Sequence, residues 1–121
     1  MILVDTSVWV DHLRAREAGL IHLLDEGSVL THPLVIEELA CGHLPQRVEF
    51  LDLIRALPVA PVAEHDELLA FITSEKLQGT GLGAVDAHLL ASARLAHVTL
   101  WSKDKALCRA AGRLKVLAAI G

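Results

Sequence analysis

A chain of 121 residues, 53% of them hydrophobic, has the size of one domain and can bury a substantial core. Aromatic residues make up only 3% and Tyr is absent, so the packing is aliphatic. A net charge of −4 excludes a protein that holds nucleic acid by bulk charge, and no apolar run approaches the ~20 residues of a membrane span.

In chain order, Ile2–Val4 reads as a short buried strand that ends on Asp5. Thr6 or Ser7 can cap a helix running to about Glu17, which Gly19 breaks. Leu20–Glu26 is a second short helix, ended by Gly27. Ser28–Thr31 is a second strand, and Pro33 suits the first turn of a helix that runs to Gly42. Pro45 starts another helix, with Val48, Leu51, Ile54 and Leu57 at helical spacing and Pro58 as its stop. Val59–Val62 is a short strand, placed near an edge by Pro61. Glu64–Leu77 is helical, with acids in the first turn where the helix dipole favours them. The glycine-rich stretch QGTGLG, residues 78–83, lacks the GK[ST] ending of a phosphate loop and follows a helix, so it reads as a turn. Ala84–Ala96 is a helix, Val98–Trp101 a strand, Lys103–Ala111 a helix and Leu114–Leu117 a last strand. Strands alternating with helices predict one α/β domain over residues 1–121, with a mainly parallel sheet covered by helices on both faces.

Cys41 and Cys108 stand far apart and suggest neither a disulfide framework nor a zinc site. The seven histidines show no HxxxH or HExxH spacing and read as surface or satisfied residues. The start lacks the basic residues and long apolar stretch of a signal peptide, so a cytoplasmic protein is expected. Lys103, Lys105, Arg109, Arg113 and Lys115 crowd thirteen residues, with only Asp104 opposing them. They form either a solvated helix face or a local patch that steers phosphates.

Four acids fall where open parallel sheets build sites, outside the carboxyl ends of strands. Asp5 follows the first strand and Asp104 follows VTLW; Glu38 lies on the helix after the second strand, and Asp86 in the first turn of the helix before VTLW. Taken singly, Asp5, Asp86 and Asp104 suit helix N-termini, and Glu37 rivals Glu38. Taken together, carboxylates at one sheet edge raise each other's pKa unless a cation neutralises them. Such oxygen donors suit Mg²⁺, with Mn²⁺ able to substitute, and these ions promote hydrolysis of phosphoryl groups.

Four segments carry a family resemblance. ILVDTSVWVDHL, VIEELACG, GAVDAHLLASARL and LWSKDKAL, in that order and spacing, resemble the segments of the PIN domain, and within it the VapC-type toxin ribonucleases. The second segment selects Glu38 over Glu37. Leu107 stands where that family often has an aromatic, and His88 where an apolar residue is more usual. The resemblance implies a three-layer sandwich with a five-stranded parallel sheet in order 3-2-1-4-5. It also implies a homodimer, a cognate VapB-type antitoxin, DNA reached only through that antitoxin, and RNA as substrate.

The expected function is therefore a Mg²⁺-dependent endoribonuclease toxin. Asp5 and Asp86 are its main metal ligands, Glu38 and Asp104 complete the acidic pocket, and one carboxylate can act as general base. The hydroxyls of Thr6 and Ser102 would orient ligands or water. A haloacid-dehalogenase-type phosphatase wants a second acid where this chain has Ser7. A phospho-receiver wants an aspartate after its third strand, where the nearest here is Asp66. A catalytically silent PIN-like binding domain has no need of all four acids.

Overall fold

The structure is a computed structural model and describes residues 1–120. Its elements are β1 (Ile2–Val4), α1 (Thr6–Ala15), α2 (Ala18–Asp25), β2 (Val29–Leu30), α3 (Pro33–Ala40), α4 (Arg47–Arg55), α5 (His65–Ser74), α6 (Ala84–Ala96), β3 (Thr99–Trp101) and α7 (Lys105–Arg113). The strands form a parallel sheet in the order β2-β1-β3. Ile2 and Leu3 pair with Val29 and Leu30 on one side, and with Thr99 and Leu100 on the other. Consecutive strand residues point to opposite faces, and Leu3 and Val4 are both fully buried. The sheet is therefore covered on both faces, which is why its strands read as unbroken apolar runs. Among the described residues no helix is long and apolar enough to cross a membrane.

The predicted five-stranded sheet is found as three strands. At the two outer positions, expected as strands 59–62 and 114–117, only isolated parallel bridges occur, Thr31 to Val59 and Leu100 to Leu117. Each bridge holds two backbone bonds. Thr31 donates to the Pro58 carbonyl and accepts from Ala60, while Leu100 donates to Val116 and accepts from Ala118. Pro58 and Pro61 have no N–H to extend the first ladder.

Gly19 does not break a helix; it lies inside α2. The break between α1 and α2 falls at Arg16 and Glu17, with Arg16 at a positive φ of 46°. A Cβ on Gly19 would stand 3.4 Å from the Trp101 ring, an ordinary van der Waals contact, so α2 packs beside β3 there. The helix expected from Pro45 begins at Arg47, after Gln46 turns left-handed. Residues 78–83 form the expected turn, with Gly79 and Gly81 at positive φ.

Fully buried His32 caps α3. Its Nδ1 accepts from the Leu34 N–H at 3.1 Å, so Nε2 carries the proton and donates to Ser92 Oγ at 3.0 Å. This pair ties the start of α3 to α6. Burial, with His88 nearby, pushes the His32 pKa down to about 4. Protonating Nδ1 would cost the cap, so the unfolded chain binds the proton first. Stability should be full above the ordinary histidine range of ~6.5. It should fall toward pH 4 with a slope of up to ~1.4 kcal/mol per unit from this group. Urea melts across that window check this, and His32→Asn should flatten the slope.

Candidate active site at the carboxyl edge of the sheet

The parallel sheet places the ends of β1 and β3 side by side, and Asp5 donates its N–H to the Trp101 carbonyl at 2.9 Å. Asp5 is the N-cap of α1, yet only 5% exposed. Its Oδ2 accepts from Ser7 Oγ (2.6 Å), from Ser102 Oγ (2.8 Å) and, at a longer 3.4 Å, from the Ser7 N–H. Both hydroxyls are themselves aimed by the backbone. Ser7 Oγ accepts from the Lys103 N–H and Ser102 Oγ from the Asp104 N–H, each at 3.0 Å. These bonds stitch the β1–α1 junction to the β3–α7 junction.

The other three acids are each held once. Thr6 Oγ1 donates to Glu38 Oε1 at 2.6 Å, linking α1 to α3. Asp104 caps α7, its Oδ2 accepting from the Leu107 N–H at 2.9 Å. Asp86 Oδ2, in the first turn of α6, accepts from the Gly83 N–H at 3.2 Å. Glu37 is exposed, with no side-chain bond or ion pair among the described residues, whereas Glu38 is held by Thr6. Asp5 and Asp104 are both helix caps and members of the acidic group; the two readings of each do not compete.

One pattern runs through all four. A single oxygen of each carboxylate is engaged by the protein: Oδ2 of Asp5, Asp86 and Asp104, and Oε1 of Glu38. The second oxygen of each takes no hydrogen bond among the described residues. Nor does a Lys or Arg neutralise them there, since Lys103 pairs instead with Glu17 (2.5 Å) and Asp11 (3.2 Å).

Half-buried Asp86 feels the consequence. Burial raises its pKa, the Gly83 N–H opposes that, and the charges of Asp5, Asp104 and Glu38 raise it further. The folded, metal-free protein therefore keeps the Asp86 proton to higher pH than the unfolded chain. Its stability should fall as pH rises from the ordinary carboxylate range through the raised value. Asp86→Asn should flatten that decline, as read from thermal melts in EDTA at stepped pH.

Among the described residues no three His, Cys, Asp or Glu side chains converge tightly enough to cage an ion unaided. The acids are close enough to feel one another's charge, and each offers one open oxygen. That donor chemistry fits a small hard cation that keeps several of its waters, as Mg²⁺ does. Glu38, alone of the four acids, also lines a cleft of about 360 Å³ with Val10, Leu13, Arg14 and His43.

Of the two hydroxyls expected to support the acids, Ser102 holds Asp5 and Thr6 holds Glu38. Ser7, expected only as a possible cap, holds Asp5 as closely as Ser102 does. The signal for it was the second hydroxyl of Asp5-Thr6-Ser7.

The family model described as the PIN domain matches residues 2–113. Two curated relatives are each named Ribonuclease VapC32, from Mycobacterium tuberculosis strains CDC 1551 / Oshkosh and ATCC 25618 / H37Rv. Each is 53% identical over 108 residues, which is 88% of this chain and 87% of the relative. Among solved structures, FitAcB from Neisseria gonorrhoeae superposes with a TM-score of 0.64 at 24% identity, covering 93% of this chain and 94% of its own. PAE2754 from Pyrobaculum aerophilum gives 0.63 at 19% identity, covering 90% and 83%. At these identities the two structures speak to the fold alone.

Proposed function

The chain belongs to the PIN-domain family, and from that premise we propose that it is an endoribonuclease toxin of the VapC type. It hydrolyses RNA phosphodiester bonds and is neutralised by a cognate antitoxin. The observation that carries this reading is the split use of the four carboxylates. Each is fixed through one oxygen and leaves the other open at a single sheet edge, where like charges accumulate without a protein cation.

Asp5, Glu38, Asp86 and Asp104 would hold Mg²⁺, or Mn²⁺ in its place. When bound, the cation supplies a Lewis acid that lowers the pKa of water and offsets charge on the phosphoryl oxygens. The chain's own residues do the rest. Ser7 and Ser102 fix the rotamer of Asp5, so its open oxygen is presented without reorganisation. Thr6 does the same for Glu38. One of the four carboxylates can also take a proton from the attacking water.

The same reading takes residues 1–121 as one PIN domain. The two isolated bridges become the edge positions of a sheet in order 3-2-1-4-5. It also supplies the partners: a second copy of the chain, a VapB-type antitoxin, and DNA only through that antitoxin, all in the cytoplasm. Another solved structure of this fold is of FitAB bound to an IR36 DNA fragment.

Purified protein should cleave RNA with Mg²⁺ or Mn²⁺, stop with excess EDTA, and recover when Mg²⁺ is restored. Gel analysis of labelled RNA reads this, and cleavage at an undiminished rate in EDTA would rule out the metal-dependent reading.

A further inference from the structure

All 15 Asp and Glu residues lie at or before Asp104. The charged residues that follow are Lys105, Arg109, Arg113 and Lys115, and all four are exposed. Lys105, Arg109 and Arg113 stand at i, i+4 and i+8 of α7, on one face and ~6 Å apart along its axis. The opposite face buries Leu107, Ala110 and Ala111. Like charges in such a row destabilise a helix unless something else uses them.

Little in the protein uses them. Lys105 and Arg109 enter no ion pair among the described residues. Arg113 donates to the Glu75 carbonyl at 2.8 Å, a neutral acceptor that leaves its charge uncancelled, because the Glu75 carboxylate is taken by Arg94. The row starts beside Asp104, so it leads directly away from the acidic group.

We propose that this face of α7 is the docking track for the single-stranded RNA substrate, with Lys105 and Arg109 contacting consecutive stretches of phosphate. The proposal rests on the ribonuclease reading and deepens it. The acids repel a polyanion, and the chain as a whole carries −4. A local cationic row supplies the attraction that bulk charge does not. Its regular spacing suits a ligand whose charge also repeats regularly.

The test is fluorescence anisotropy with a labelled single-stranded RNA over a salt series with Mg²⁺, in the Asp86→Asn background to prevent cleavage. Adding Lys105→Gln and Arg109→Gln should weaken binding about tenfold. It should also reduce the slope of log affinity against log salt by ~1.4, since each lost single-strand phosphate contact is worth ~0.7. Arg55→Gln, an exposed change on α4, should alter neither. In the background with Asp86 intact, the double variant should raise KM and leave kcat near wild type. An unchanged salt slope in a protein that still cleaves RNA overturns the track alone. Loss of antitoxin binding with RNA binding intact makes the row a protein contact and also overturns it. A wild type that neither binds nor cleaves RNA sinks the track and the ribonuclease reading together.

Discussion

Asp5→Asn is expected to cut the rate of RNA cleavage by more than about 100-fold while leaving the fold in place. Removing a residue that merely supports a metal ligand typically costs 10–100-fold, so losing a ligand should cost at least as much. The structure explains why the fold should survive. The two hydroxyls that hold Asp5 both donate to Oδ2, and an amide oxygen in that position accepts the same two bonds. What changes is the open oxygen, which becomes an NH₂ group that cannot ligate a cation. Circular dichroism should match wild type, and the melting shift that millimolar Mg²⁺ gives by binding the folded state should largely disappear. Ser102→Ala is the graded comparison, with a loss of about 10–100-fold. An Asp5→Asn protein that cleaves at the wild-type rate would remove Asp5 from the catalytic group.

Leu100→Ala should destabilise the protein by about 2–5 kcal/mol, as for other buried leucines whose neighbours cannot close the cavity. Leu100 is fully buried in β3, pairs with Leu3, and uses its backbone on both the central ladder and the outer bridge. It therefore sits where little can relax. Val59→Ala, at the opposite outer bridge, is the control. Val59 is 53% exposed, so its loss should stay within about 0.5 kcal/mol. Urea denaturation of both variants measures the difference. Equal, small losses would mean that the β3 layer is not the rigid support on which Ser102 and Asp104 depend.

The chemistry was more legible in the sequence than its supports. Strand-end aspartates were legible only as a set, because singly Asp5 and Asp104 also suit helix N-termini, and both are N-caps. Choosing Glu38 over Glu37 needed the family's spacing, since adjacent helical residues differ only in direction. The same limit hid Ser7. Thr6 and Ser7 point ~100° apart on the first turn of α1, so one reaches Glu38 and the other Asp5. Adjacency in sequence says nothing about which. His32 as the cap of α3 was invisible for a related reason: its ring is fixed by Ser92, sixty residues away. The outer positions each show a single bridge: at VAPV the prolines remove donors a ladder needs, whereas LKVL holds no proline and suggested a strand by its apolar composition.

The sheet order also sets a schedule. β1 lies at the centre, but its neighbour β3 comes almost the whole described chain later, and α7 later still. A nascent polypeptide thus carries Asp5 but cannot lodge it against Ser102, or bring Asp104 beside it, until all of α6 and β3 has left the ribosome. Closing so long a loop is slow compared with forming the local helices. The pocket around Asp5 is therefore assembled only after the chain has been made through Asp104. The basic face of α7 emerges only at the moment the acids come together.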